Sequence, residues 1–175
     1  MFGHTIHRTP MYDTEAVQPM RDELVAVGFE DLRTSQDVDR VFGETKGTLL
    51  IMINSVCGCA AGSARPGVAL ALQHKVIPDR LATVFAGMEY EAVHRARELH
   101  AGYPPSSPSM ALFKDGKLAH MVERNMIEGK KPEQIARDLM QIFDRYCSRP
   151  GPSIPAKEFE KLNFAKICGS SIPRY

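Results

Sequence analysis

The chain has 175 residues, of which 43% are hydrophobic and 25% are charged, a composition typical of a soluble globular protein with a core of its own. A formal net charge of +1 gives no indication of a surface for nucleic acid or for acidic membranes. Because the sequence contains neither an apolar run near the ~20 residues of a membrane span nor the apolar core of a signal peptide, we expect a cytoplasmic protein.

Helix and strand signals alternate along the chain after an N-terminal arm at 1–11. The predicted elements are a helix at 13–27, a strand at 29–33, a helix at 37–42, the strand Thr48–Asn54, a helix at 60–75 that Pro66 bends, a strand at 80–86 and a helix at 89–100 with solvated His94 and His100. The strand Thr48–Asn54 is apolar on both faces, which is typical of a strand covered by helices on both sides of a sheet.

A hairpin is predicted in the second half of the chain. The segment 101–108 is too rich in proline for a helix or a central strand. It precedes apolar runs at 110–114 and 118–123, which are joined by Asp115-Gly116, a strong signal for a two-residue hairpin turn.

The last predicted helix begins at Pro132, because proline is well suited to the first helical position. Its predicted buried face carries Ile135, Leu139, Ile142, Phe143 and Tyr146. This order of elements predicts an α/β domain at 12–147, with a central mixed sheet flanked by helices. Residues 148–175 form a C-terminal extension, in which two helical turns at 158–164 pack on the domain or on a second subunit, so a homodimer stays open.

Two cysteines separated by one glycine follow the central strand. Side chains two residues apart in a regular helix point about 200° away from each other, so Cys57 is predicted to lie on the loop before the next helix. Gly58 lets the backbone turn tightly enough to bring the Cβ atoms within about 3.5–4.5 Å, as a disulfide requires. A thiol at a helix N-terminus has a lowered pKa. The spacing therefore predicts a redox pair in which Cys57 is the nucleophile and Cys59 resolves the mixed disulfide.

Two other interpretations of the pair stay open. Buried cysteines often serve as small hydrophobic residues, and thiolates at this spacing can chelate a soft metal ion. Structural zinc usually needs four ligands, however, and His74 alone does not complete a set with Cys57 and Cys59. We therefore predict no metal site.

The arrangement resembles thioredoxin. The shared features are a redox pair at the end of an internal strand, Pro66 in the following helix, and Pro108 immediately before the hairpin. In that family the peptide bond before the second proline is cis and packs against the redox pair. The resemblance implies the thioredoxin-like fold, and it implies this role for Ser107 and Pro108.

The spacing Cys-Gly-Cys departs from the Cys-x-x-Cys of thioredoxin and resembles a narrower family, the bacilliredoxins. The matching segments are Asn54-Ser55-Val56-Cys57-Gly58-Cys59-Ala60-Ala61-Gly62, Ala64-Arg65-Pro66, Pro105-Ser106-Ser107-Pro108-Ser109-Met110-Ala111-Leu112 and Ile127-Glu128-Gly129. The resemblance implies a thiol-disulfide oxidoreductase without a bound cofactor. It would remove bacillithiol, a low-molecular-weight thiol that acts as co-substrate, from S-bacillithiolated proteins. A disulfide isomerase and a carrier of a soft metal ion are the alternatives, because both would use the same two sulfur atoms.

Three further residues become candidates through this resemblance. Bacillithiol carries carboxylates, so Arg65 is the candidate cation that orients it, and a solvated surface arginine is the alternative. Cys147 matches a family position near the C-terminus and is a candidate third redox thiol. Cys168 could reach the redox pair if the extension folds back. A passive role is the alternative for both cysteines.

Overall fold

A mixed β-sheet forms the centre of the fold in the computed structural model, which describes residues 8–164 and 174. Within these residues the strands are β1 Glu30–Asp31, β2 Thr48–Asn54, β3 Val76–Ile77, β4 Arg80–Phe85, β5 Ser109–Lys114, β6 Lys117–Val122 and β7 Arg149–Pro150. The central sheet has the order β1-β4-β2-β5-β6, and β3 pairs with β7 beside it. Strands β1, β4 and β2 run parallel, whereas β5 and β6 are antiparallel to their neighbours. This topology confirms the predicted thioredoxin-like fold.

Helices cover both faces of the sheet. They are α1 Thr14–Val25, α2 Ser35–Glu44, α3 Arg65–Ala71, α4 Tyr90–Leu99, α5 Pro132–Tyr146 and α6 Ala156–Phe159, with a π-helical turn at Ala60–Ala64 and a 3₁₀ turn at Arg124–Met126. Side chains of β2 alternate between two cores: Leu50 and Met52 pack with α1, α3 and α5, whereas Leu49, Ile51 and Ile53 pack with α2 and α4. In the part of the chain that the structure describes, none of the helices is long and apolar enough to cross a membrane.

The segment after the cysteines differs from the predicted helix at 60–75. Its first part is a π-helical turn in which the N–H of Arg65 donates to the carbonyl of Ala60. The helix α3 begins at Arg65, so Pro66 lies in its first turn. A proline is tolerated there because the first turn of a helix needs no internal hydrogen-bond donor.

The two histidines of α4 have different environments. The side chain of His94 is 78% exposed, as predicted, but His100 is only 4% exposed, so the prediction of a solvated His100 is wrong. His100 caps α4 with φ −120° and ψ 42°, outside the helical region. Helical periodicity therefore does not set the direction of its side chain.

The described part of the C-terminal extension packs on the domain. The N–H of Gly151 donates to the carbonyl of Lys75 at 2.9 Å, and the N–H of Ser153 donates to that of Leu72 at 2.9 Å. Phe159, Leu162 and Phe164 are partly buried against the core that contains α3 and α5. The helix α6 is shorter and begins earlier than the predicted turns at 158–164, because Pro155 at its N-cap favours a helix start. Cys168 and most of the predicted arm lie outside the described residues.

Candidate active site

The redox pair lies on a short loop between β2 and the π-helical turn. Cys57 precedes the turn and its carbonyl accepts hydrogen bonds from the N–H groups of Ala60 and Ala61, at 3.0 and 3.1 Å. The N–H of Cys57 donates to Ser55 Oγ at 3.2 Å. The two sulfur atoms of Cys57 and Cys59 lie 2.8 Å apart, and both side chains are half-buried. Two adjacent thiols thus lie just beyond the C-terminal end of the central strand, and Cys57 precedes the helical segment as the spacing predicts.

Gly58 separates the cysteines without being required by the observed loop. It is exposed, its φ lies outside the left-handed region, and a Cβ there would meet no atom within 4 Å. The loop observed with two free thiols therefore does not require glycine at this position.

The environment of Cys57 favours its thiolate. Burial by itself would raise its pKa, but hydrogen bonds from the Cys59 thiol and the Ser55 hydroxyl act in the opposite direction. The N–H of Ala60, 3.4 Å from Cys57 Sγ, and the positive charge of Arg124 act in the same direction as those hydrogen bonds. Together these contacts outweigh burial and lower the pKa of Cys57. A lowered thiol pKa raises the thiolate fraction available for attack on a disulfide.

The pKa of Cys59 is shifted in the opposite direction. Burial, the hydrogen bond to Cys57 and the negative charge of Cys57 raise the pKa of Cys59 to about 11. Two of these causes depend on the Cys57 thiolate, so they disappear once Cys57 enters a mixed disulfide. Cys59 therefore becomes easier to deprotonate at the stage when a resolving thiol is needed.

The loop before β5 carries the predicted cis proline. The Ser107–Pro108 peptide bond is cis. Arg124 Nη1 lies 3.4 Å from the carbonyl oxygen of Ser107, and the charge of Arg124 acts on both Cys57 and Cys59. Arg124 therefore connects the proline loop electrostatically to the redox pair.

Arg124 was not found by sequence reasoning, although the predicted hairpin contains a signal for it. Strand pairing aligns Met110 with Val122, so the residue two positions beyond Val122 emerges beside Pro108. The side chain of Arg124 is 45% exposed and pairs with Glu128 at 2.5 Å. It is thus a solvent-accessible cation close to the two thiols.

Arg65 has a different position from the one that substrate binding requires. Its side chain is 0% exposed, and its Nε donates to Glu23 Oε2 at 2.6 Å. Its Nη1 donates to Asn54 Oδ1 at 3.1 Å and to the carbonyl of Ser55 at 2.8 Å. In this structure Arg65 is therefore closed off from a substrate at the surface, and it holds the start of the redox loop instead.

Cys147 lies far from the redox pair. It caps the C-terminal end of α5, where burial raises its pKa to about 11 and Thr48, Asp79 and Lys114 are its electrostatic neighbours. Thr48 begins β2, whereas Cys57 follows the end of that strand, and seven strand residues span about 20 Å. The structure therefore does not bring Cys147 together with Cys57 and Cys59. Among residues 8–164 and 174, no three Cys, His, Asp or Glu side chains form a group that could hold a metal ion.

The chain is similar to several known proteins. A family model described as "Disulphide isomerase" matches residues 12–147. A bacilliredoxin of Staphylococcus aureus is 50% identical over 137 residues, which cover 78% of this chain and 94% of that protein. A bacilliredoxin of Salinibacter ruber is also 50% identical, with 81% of this chain and 91% of that protein covered. A crystal structure of Plasmodium falciparum thioredoxin has a TM-score of 0.41 and 15% identity, covering 67% of this chain and 85% of that one.

The match with bacilliredoxins covers most of both chains, and the range 12–147 that the family model matches contains the two adjacent thiols. The chain therefore belongs to the bacilliredoxin family and is a thiol-disulfide oxidoreductase.

Proposed function

We propose that this protein removes bacillithiol from S-bacillithiolated client proteins. The observation that carries the proposal is the pair of thiols in a bacilliredoxin chain, 2.8 Å apart, in which the pKa of Cys57 is lowered and that of Cys59 is raised. A thiol with a lowered pKa beside a thiol with a raised pKa suits the two consecutive steps of dethiolation.

In the first step the Cys57 thiolate attacks the bacillithiol sulfur of the mixed disulfide. The bond between that sulfur and the client sulfur breaks, and the client leaves as a thiolate that takes up a proton. In the second step the Cys59 thiolate attacks the Cys57 sulfur and releases bacillithiol, or a free bacillithiol thiolate attacks the bacillithiol sulfur of the adduct, so that bacillithiol disulfide leaves and the Cys57 thiolate is restored. Attack by Cys59 leaves a Cys57–Cys59 disulfide, which a low-molecular-weight thiol such as bacillithiol reduces. Thiol exchange thus returns the pair to its starting state without a bound cofactor.

The partners in this proposal are bacillithiol and bacillithiolated proteins, and the proposed location is the cytoplasm. Exchangeable thiols stay reduced in that compartment. The proposal needs no second subunit, because Cys57 and Cys59 come from one chain.

A disulfide isomerase is the second candidate, and the description of the matching family model supports it. An isomerase would attack protein disulfides of misfolded clients and return them rearranged. The Cys57 nucleophile is common to both candidates, so the substrate distinguishes them.

The test uses the Cys59→Ala variant, which retains the first thiol and loses the resolving one. It is incubated separately with a bacillithiolated and a glutathionylated model protein, and intact mass is followed without reductant. We expect rapid gain of one bacillithiol, little gain of glutathione, and no adduct at this position in the Cys57→Ala control. Equal or slow transfer from both proteins would contradict dethiolation. Renaturation of a protein with scrambled disulfides by the wild type would then support the isomerase.

A further inference from the structure

A groove of about 490 Å³ adjoins the redox loop. Ser55 and Ser107 line one part of it, and Tyr90, His94 and Arg97 of α4 line another. Ser55 accepts the hydrogen bond from the Cys57 N–H at 3.2 Å. The groove therefore lies beside the loop that carries Cys57, where a small molecule joined to that cysteine would be held.

The described residues that line this groove include basic side chains and no acidic ones. Besides Arg97, the basic groups are His94 and Arg8, whose guanidinium lies 4.4 Å from the ring centre of Tyr90. Glu98 approaches His94 Nε2 at 3.4 Å from outside the lining. The groove is therefore suited to an anionic ligand rather than to a cationic one.

Arg97 is the most specific feature of the groove. Its Nε is buried and has no hydrogen-bond partner, and Arg97 forms no ion pair within residues 8–164 and 174. Burial lowers the pKa of Arg97. A guanidinium that is partly withdrawn from water without an anion is unfavourable, and a carboxylate would satisfy it with charge-assisted hydrogen bonds.

Other arginines of the same region already have partners. Arg95 of α4 donates to Asp39 at 2.6 Å and to Glu98 at 2.9 Å, and Arg124 pairs with Glu128 at 2.5 Å. Arg97 differs from both, because it forms no ion pair within the described residues.

We propose that this groove, with Arg97 as its main contact, binds the carboxylates of the small thiol while the sulfur of that thiol is joined to Cys57. The proposal rests on the proposed dethiolation and adds the site that selects an acidic thiol. Arg97 acts as a positioning residue and takes no part in the exchange of bonds.

The test uses the triple variant Cys59→Ser/Cys147→Ser/Cys168→Ser, in which Cys57 is the sole remaining cysteine. Cys57 is loaded chemically, from activated disulfides, with bacillithiol or with bacillithiol whose carboxylates have been converted into methyl esters. Thermal unfolding of the two adducts is then compared in this background and after Arg97→Gln or Arg95→Gln. Arg95 is the matched control because it lies on the same helix and outside the groove lining.

The acid adduct is expected to have a melting temperature about 2–4 °C above that of the ester adduct, a shift typical of one additional charged contact in a chain of this size. The difference should vanish with Arg97→Gln and persist with Arg95→Gln. Equal melting temperatures for the two adducts in the parent background, or a difference that survives Arg97→Gln, would overturn the proposal.

Loading is chemical, so this result does not depend on dethiolating activity. Equal melting temperatures for the acid and ester adducts in the parent background, alongside normal bacillithiol transfer, would remove the groove assignment and leave the proposed function. A melting-temperature difference between the two adducts in a protein that transfers no bacillithiol would keep the groove assignment and remove the proposed function.

Discussion

At the scale of single residues, the two thiols are distinguished by their contacts and not by their chemistry. Cys57 receives hydrogen bonds and the positive charge of Arg124, while Cys59 faces the negative charge of Cys57. Two chemically identical thiols thereby differ in pKa, so that Cys57 serves as the nucleophile and Cys59 as the resolving thiol. Arg124 is the exposed member of this set, so it can be replaced with little effect on the core.

Replacement of Arg124 by alanine should raise the pKa of Cys57, because a nearby positive charge that favours the thiolate is lost. The rate of attack by Cys57 falls as pH drops through its pKa, so the fall should begin at a higher pH in the variant. At neutral pH we expect a reduction of about twofold to fivefold, as for removal of one exposed charge interaction. The ultraviolet absorbance of the thiolate, recorded against pH in a Cys59→Ser background, measures the shift in the pKa of Cys57.

The control is Glu128→Gln, which removes the ion-pair partner of Arg124 and keeps its positive charge. The pKa of Cys57 should not rise in this variant. A titration curve that is identical in the wild type and in Arg124→Ala would contradict the assignment of Arg124 to the redox site.

At the scale of elements, a buried ion pair joins α1 and α3 to the end of β2. Arg65 reaches Glu23, Asn54 Oδ1 and the carbonyl of Ser55 from a fully buried position. The side chain of Glu23 is 6% exposed. The pair therefore fixes where the redox loop leaves the strand.

Arg65→Met should lower the free energy of unfolding by about 3–5 kcal/mol, because Glu23 would then be buried without its Arg65 partner. The double variant Glu23→Met/Arg65→Met should lose much less, since no charge is left behind. Denaturant unfolding of the two single variants and the double variant measures this coupling. Additive losses would show that the two side chains do not act as a pair.

At the scale of the whole molecule, the C-terminal extension is continuous with the domain in the part that the structure describes. Strand β7 pairs with β3 in a register that aligns Val76 with Pro150. Gly151 follows directly, and a Cβ at this position would lie 1.9 Å from the carbonyl oxygen of His74. The extension thus approaches the domain backbone too closely for any side chain at that point.

Gly151→Ala should therefore destabilise the protein by about 1–3 kcal/mol, as overpacking does, because the opposing atom belongs to the backbone and cannot rotate away. The rate of thiol exchange at Cys57 should be unchanged, because Cys57 follows the C-terminal end of β2 and is not part of the contact between Gly151 and His74. Gly43→Ala is the control: Gly43 lies in α2 with no atom within 4 Å of a Cβ, so this change should be neutral or stabilising by about 0.5–1 kcal/mol. Denaturant melts measure both. Equal stability of the wild type and Gly151→Ala would refute the close approach.

Sequence patterns alone predict the central strand, the redox pair after it, the hairpin and the alternation of helices and strands along the chain. These features follow from local signals: β2 is apolar at every core position, Gly58 separates the thiols, and Asp115-Gly116 closes the turn. Neighbouring residues in the chain carry each of these signals, so no knowledge of distant contacts is needed.

The charged side chains around the redox pair are placed by packing between distant parts of the chain. Arg65 has a helical pattern that fits a surface or a buried position equally well, and its burial depends on Glu23, 42 residues away in the sequence. Arg124 approaches the thiols through the register of β5 and β6, and Arg97 reaches the groove through the packing of α4. The pairing of β3 with β7 likewise joins two-residue strands that are too short to give a periodic signal. Packing between distant segments sets these positions, and sequence patterns report only the local preference of each segment.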